Sequence, residues 1–276
     1  ETAIKLARQY HQLTGKPEKV RVIARHHSYH GSSLGALAMT GAVPRRRPYE
    51  PYLSDFPHID PPYCYRCPLG SRYPECGVAC ADELEKAILR VGPQYVSAFM
   101  VEPVAGAVLG ALVSQPEYLP RVREICDRYD VLMMVDEVIT GLGRTGKFFA
   151  VEHWGVVPDV ITLGKGLGGG YVPVAAVLAH DRVYGAFEKA GASFMHGETF
   201  VGHTTTSAAG VATLDYMATH RLVERCAEMG ALLGQRLEAL RPLPMVGEVR
   251  GLGLLRGIEL VRDKETRAPF PRERRV

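Results

Sequence analysis

An acid and a lysine, each closing an apolar run, are the residues of this chain best placed to do chemistry. Residues 131–135 (VLMMV) are almost purely apolar and end in Asp136 and Glu137. Such a run reads as a strand buried on both faces, as in a parallel sheet. A second apolar run, residues 160–163 (VITL), ends in Gly164-Lys165-Gly166. In open α/β sheets the carboxyl ends of the strands are where ligands bind. A carboxylate there is costly to desolvate unless it meets a cation, and a lysine there is a candidate nucleophile.

That pair of side chains suggests pyridoxal phosphate. The cofactor's aldehyde needs a lysine for its Schiff base, and its ring nitrogen needs an acid so that the ring can act as an electron sink. Strand-end placement alone leaves other readings open: a loop-end acid or metal ligand at Asp136, and a solvated lysine at Lys165. Gly164, Gly166 and Gly169 also fit G-x-G-x-x-G after a strand. A dinucleotide fingerprint must next open a helix, however. Residues 171–179 (YVPVAAVLA) are apolar, contain Pro173 and read as extended. A phosphate-binding Walker loop needs Ser or Thr after its lysine, and here Gly166 follows.

Further candidates lie at other strand ends. Residues 20–24 form a short strand that runs into His26-His27-Ser28-Tyr29-His30-Gly31. The three histidines lack the carboxylate and helical spacing of the commoner metal sites. Tyr29 reads either as a ring beside a flat cofactor or as a buried structural tyrosine. Residues 97–101 form a strand ending in Glu102-Pro103, a third acid at the same sheet edge. Residues 196–203 (HGETFVGH) are a polar loop ahead of an Ala-rich helix. Their hydroxyl and amides could cradle a phosphate or simply cap the helix.

The elements that position these groups alternate between helix and strand. Helices are expected over residues 1–14, from Asp82 with Glu85 as a capping pair to about Arg90, and over 116–129, 181–190, 204–217 and 220–240. Residues 254–260 read as a strand of a smaller α+β unit. The alternation predicts a three-layer α/β sheet. Residues 1–218 would then be a large cofactor-binding domain and 219–276 the beginning of a small C-terminal domain. Residues 41–81 are rich in Pro, Tyr and Gly and read as a long excursion, of the kind that is usually functional or subunit-contacting. They hold Cys64, Cys67, Cys76 and Cys80, a zinc-knuckle outline whose second half, C-x-x-x-C, is not the usual one. Reduced packed thiols, a structural metal and disulfides all remain open there. Cys126 and Cys226 fall in helical patterns and read as core.

The 276 residues are 46% apolar and 23% charged with a net charge of +3, ordinary for a soluble globular protein. That charge does not argue for nucleic acid, and the short basic runs 45–47 and 272–275 read as solvated. No run of about 18 apolar residues exists to span a membrane, and a cytoplasmic location is expected. The chain opens at Glu1 inside an amphipathic pattern and closes without an evident final element, so an internal fragment of a longer protein is expected.

Five motifs, YHG (29–31), VEP (101–103), VDEVITGLGRTG (135–146), PDVITLGKGLGGG (158–170) and HGETFVGH (196–203), together resemble the class III pyridoxal-phosphate aminotransferases of fold type I. The likeness covers essentially the whole chain. It implies an aspartate aminotransferase-like large domain with the start of a smaller one. It implies that Lys165 forms the Schiff base and later moves the substrate proton, and that Asp136 pairs with the pyridinium nitrogen. Tyr29 would stack on one ring face and Val138 pack on the other, with His30 and Gly31 beside them. Glu102 would support the polar edge near Asp136 and His30. Thr199 would reach the cofactor phosphate of a neighbouring subunit in a homodimer.

Two departures bear on substrate. Relatives acting on ornithine, acetylornithine or 4-aminobutyrate tend to carry a glutamate where this chain has Ala107 and a glutamine where it has Ile139. Both changes lean toward the amine:pyruvate and ω-amino acid:pyruvate branch, with an amine donor and a keto acid as partners. Residues 63–80 resemble inserts of that group in which no metal is implied. The alternatives are a semialdehyde aminomutase-like or decarboxylating relative, and a zinc-binding protein in which the lysine is incidental. The family's phosphate loop is expected upstream of Glu1 and its acceptor-binding arginine beyond Val276, so residues 1–276 alone are expected to be a poor enzyme.

Overall fold

The computed structural model describes residues 1–274. Helix α1 (Thr2–Leu13) leads into strand β1 (Arg21–Arg25), followed by the short helices α2 (Leu34–Met39) and α3 (Val43–Arg46). Strand β2 (His58–Ile59), helix α4 (Ala79–Val91) and strand β3 (Val96–Val101) come next. A small hairpin, β4 (Val104–Ala105) and β5 (Leu112–Val113), precedes helix α5 (Tyr118–Arg128). Then come strands β6 (Leu132–Asp136), β7 (Val160–Leu163) and β8 (Ala176–Ala179). Helices α6 (Asp181–Ala190), α7 (Thr204–Thr219) and α8 (Leu222–Glu238) lead to a final hairpin, β9 (Val246–Leu252) and β10 (Leu255–Leu260).

Six strands form one sheet in the order β2-β1-β3-β6-β7-β8. Its first five strands are parallel. The period-two alternation of a strand sends successive side chains to opposite faces. Ile23, Phe99, Val101, Met133 and Val135 accordingly pack on one face under Leu84 and Ile88 of α4 and Leu119, Val122 and Ile125 of α5. Val22, Ala24, Ala98, Met100, Leu132 and Met134 take the other face, against Ala3, Leu6, Ala7 and Tyr10 of α1 and Val183 and Phe187 of α6. Each large side chain removed from water this way contributes roughly 1.5–3 kcal/mol. Every residue of β3 and β6 is buried, which fixes the strand ends rigidly. The expected three layers are therefore present. Among the described residues no helix is long and apolar enough to cross a membrane.

The final hairpin is held to this body by close backbone approach and by two arginines, Arg250 and Arg66, the latter pairing with Glu259 at 2.5 Å. A Cβ at Gly257 would stand 2.1 Å from the Gly110 carbonyl oxygen, and one at Gly253 would stand 2.4 Å from the Thr145 carbonyl carbon. Arg250 donates to the carbonyls of Leu109 (2.5 Å) and Gly110 (2.9 Å) and pairs with Glu248 (2.5 Å) and Glu259 (2.6 Å).

Several local expectations are corrected. Helix α4 begins at Ala79, so Asp82 sits inside its first turn rather than capping it, where it pairs with Arg121 at 3.0 Å. The excursion over 41–81 contributes β2 to the sheet edge, where Ala24 and Arg25 pair with His58 and Ile59. Of the extended stretch 171–179 only Ala176–Ala179 is a strand, and it runs antiparallel to β7. The last strand has an antiparallel partner, β9, that its two glycines and two charges hid.

Candidate active site

Four chain segments meet at the carboxyl edge of the sheet. Asp136 ends β6, Lys165 follows β7, Glu102 follows β3, and the loop after β1 brings in Tyr29, His30 and Gly31. They line one open cavity of about 140 Å³, together with Val138. All the site residues read from the sequence are thus brought together except Thr199. Ile139 and Thr140 complete the wall. Thr140 carried no sequence signal as a site residue, because nothing in its type or spacing separates it from an ordinary loop threonine.

The acids are held, each differently. Asp136 Oδ2 lies 2.8 Å from His30 Nδ1, and its Oδ1 accepts from the Val138 amide at 3.1 Å. The two side chains are 10% and 1% exposed, so this is a desolvated pair. A buried carboxylate is tolerable only when donors satisfy it. With Nδ1 committed to Asp136, the buried Nε2 of His30 has no protein partner among the described residues. Glu102 Oε1 accepts from the Tyr29 amide (3.1 Å) and Oε2 from the Gly106 amide (2.9 Å). It supports the polar edge through the backbone, fixing the segment that carries Tyr29 and His30. The Glu102 carbonyl is held in turn by Arg25 at 2.6 Å.

Glu137, next to Asp136, turns the other way. It accepts from the Val151 amide at 2.8 Å and from the Thr140 hydroxyl. Burial pushes its carboxyl above the ordinary range, an effect these hydrogen bonds partly offset. Adjacent carboxylates on one strand end thus face opposite sides: Asp136 serves the cavity and Glu137 ties down the loop behind it.

Two backbone positions are special. Gly31 has φ +140°, and a Cβ there would stand 2.9 Å from Ala36 Cβ. Lys165 has φ +42°, the left-handed region that L-residues seldom occupy, at the start of a single tight turn, Lys165–Gly168. Strain of this kind is found where surrounding structure over-determines a residue, and it clusters at functional sites. Only the 3-10 turn Lys165–Gly168, and no α-helix, opens after β7.

Thr199 lies elsewhere, on the exposed loop between α6 and α7. That stretch leaves Met195 82%, Phe200 75% and Val201 71% exposed. The four excursion cysteines are unbridged. Cys64 Sγ accepts from Gln115 Nε2 at 3.4 Å, and burial pushes the Cys80 thiol up to about 12. Among the described residues no group of three or more His, Cys, Asp or Glu stands together as a metal-holding set. Cys126 and Cys226 are buried, as expected.

The family model for class-III aminotransferases matches residues 1–274. The chain belongs to that family. It is 44% identical over its whole length to a probable aminotransferase of Mycobacterium tuberculosis, covering 59% of that protein. It is 37% identical over 278 aligned residues to the taurine–pyruvate aminotransferase of Bilophila wadsworthia, covering 98% of this chain and 60% of that one. A thermostable (S)-enantioselective omega-transaminase from Thermomicrobium roseum superposes with a TM-score of 0.93 at 41% identity, over 99% of this chain and 60% of that chain. This class-III aminotransferase chain therefore spans about three fifths of the length of these relatives. The likeness in structure also identifies the sheet and its flanking helices as fold type I.

Proposed function

We propose that the protein is a pyridoxal-phosphate-dependent aminotransferase that moves an amino group from an amine or ω-amino acid to a keto acid such as pyruvate. The observation that carries this reading is the placement of Asp136 and Lys165 at the ends of adjacent parallel strands, lining one cavity. Family membership and the taurine–pyruvate relative support it.

The residues present fit the cofactor. Its pyridine nitrogen wants an oriented carboxylate, and Asp136 is held by two donors. Its flat ring wants an aromatic or branched wall on each side, and Tyr29 and Val138 both line the cavity. When bound, the cofactor supplies an aldehyde to carry the amino group and a ring to take up electrons. This chain's residues do the rest. His30 Nδ1–H orients the Asp136 carboxylate, which holds the proton on the ring nitrogen. With the cofactor bound, Lys165 Nζ would move a proton from the donor's amine-bearing carbon to the cofactor and, in the second half-reaction, one from the cofactor to the keto acid's carbonyl carbon. Val138 and Ile139 give the cavity an apolar wall, which limits water there.

The homodimer and the role of Thr199 belong to the same proposal. Helix α7 buries little besides Gly210, Val211 and Tyr216 stay exposed, and so do Phe200 and Val201 on the loop that carries Thr199. Exposed apolar surface of this kind marks an interface. A second copy covering it would bring Thr199 toward the neighbouring cavity and its cofactor phosphate. Residues 1–218 would act as the large domain, with α8 and the last hairpin beginning the small one.

The test is a visible absorbance spectrum of the protein loaded with pyridoxal phosphate, alongside Lys165→Ala. A yellow band that an amine donor bleaches, and that the variant cannot form normally, is the expected result. A protein that stays colourless with added cofactor would overturn the assignment.

A further inference from the structure

A histidine can steady a carboxylate only if its own backbone is held in place. His30 Nδ1 stands 2.8 Å from Asp136 Oδ2, although the two residues are 106 positions apart in the chain. The loop that carries His30 is neither helix nor strand. Its position therefore has to be fixed by bonds from outside any regular ladder.

Those bonds come from the two residues that follow α2. Thr40 is 0% exposed. Its hydroxyl accepts from the His30 amide at 2.9 Å and donates toward the carbonyls of Ala36 (3.1 Å) and Gly31 (3.3 Å). The Ala36 contact is the back-bond that a threonine makes one helical turn behind itself, and it fixes the hydroxyl with a lone pair facing His30. Beside it, the Gly41 amide donates to the Ser28 carbonyl and the Gly41 carbonyl accepts from the His27 amide, both at 3.1 Å. A Cβ at Gly41 would stand 2.1 Å from the Arg25 carbonyl oxygen, which leaves no room for a side chain there. Thr40 and Gly41 thus form a splint along the loop, and Thr40 is the member that touches His30.

We propose that Thr40 is a positioning residue for amino transfer: it sets the His30 backbone and, through the His30 ring, the aim of the Asp136 carboxylate at the cofactor's ring nitrogen. This rests on the aminotransferase reading above. Valine at this position keeps the volume but accepts no hydrogen bond. The His30 amide must then move to find another acceptor, and it carries the ring away from Asp136.

The experiment compares wild type, Thr40→Val and Thr40→Ser. Crystal structures of the cofactor-free proteins read the His30–Asp136 distance, which should open beyond about 3.5 Å in Thr40→Val. Titration with pyridoxal phosphate should show affinity weakened about tenfold, the scale of one buried amide that has lost its acceptor. In the loaded protein kcat should fall by a similar factor while the donor KM stays within about twofold. Thr40→Ser keeps the acceptor and should return all three readings to near wild type. Thr40→Ala removes the same acceptor without crowding and stands in if Thr40→Val does not fold. His11→Gln, which disturbs a buried hydrogen bond at the opposite edge of the sheet, controls for general destabilisation and should leave cofactor affinity unchanged. If Thr40→Val keeps either the His30–Asp136 bond or an affinity within about twofold of wild type, or if His11→Gln weakens affinity as much, the inference is wrong. If wild type binds no pyridoxal phosphate and transfers no amino group, the aminotransferase reading itself has failed and the role of Thr40 falls with it.

Discussion

The cavity at the sheet edge and the stretch from residue 191 through α7 are built on opposite terms. In the cavity the acids find partners within the chain: Asp136 with His30 and the Val138 amide, Glu102 with the amides of Tyr29 and Gly106. Strands β3 and β6 behind it are wholly buried. Along 191–219 the reverse holds, with Met195, Phe200, Val201, Val211 and Tyr216 facing water. One region is organised by its own fold. The other presents apolar surface that none of the described residues covers. The difference teaches where to look for each function: chemistry where acids are already oriented, assembly where apolar side chains are not.

The comparison breaks most readily at Lys165. Lys165→Ala should slow the donor half-reaction by about 10⁴-fold, the upper range for removing a positioned acid–base group. Rapid-mixing absorbance would check it, and a variant keeping a tenth of the wild-type rate would move the chemistry out of the cavity. Next comes the strand-end pair. Asp136→Asn should cost about 10²–10³-fold in kcat, in line with loss of one oriented electrostatic partner. Glu137→Gln should instead act mainly on thermal stability, because Glu137 faces the Val151 amide and the Thr140 hydroxyl. Similar kinetic losses in both variants would deny the division of labour between the two acids.

The apolar stretch gives a smaller effect of a different kind. Phe200→Asp or Val201→Asp should weaken self-association by about 10–100-fold, as for an interface anchor, and leave the circular dichroism of the chain unchanged. Sedimentation equilibrium reads it, and an unchanged association constant would mean that this surface contacts no second copy.

The smallest effect is on stability against pH. Burial holds His11 at about 4 while its Nε2 bonds the Ser97 carbonyl at 2.8 Å, and burial also lowers His58 to about 4. Their unfolded values lie near 6.5, so between about 4 and 6.5 the unfolded chain binds more protons. Stability from these groups is therefore fully present above about pH 6.5 and lost as pH falls toward 4. Urea midpoints measured from pH 7 to 4.5 should decline, and His11→Gln should flatten part of that slope.

Lys165 and Asp136 could be found in the sequence because burial and charge alternate so abruptly there. A run such as VLMMV has no stable place except inside a sheet, and the first charge after it must stand at the sheet's edge. Tyr29 and Glu102 followed by the same logic, and the motif spacing pointed to the family. Other features left no local trace. Strand β2 is two residues long, and β9 mixes glycine with charge, so neither carries a hydrophobic period. The direction of β8 was hidden as well, since alternation looks the same whichever way a strand runs.

Sequence by itself determined which segments had to be buried and which charged residues closed them, because desolvation acts on every residue according to its own type. Tertiary structure alone decided what those residues meet. It turned Asp136 toward His30 and Glu137 away from it, set Arg45 against Tyr29, and held Lys165 at a positive φ. Those are distances between groups far apart in the chain or facing opposite sides of one strand, and they are fixed only when the layers close together.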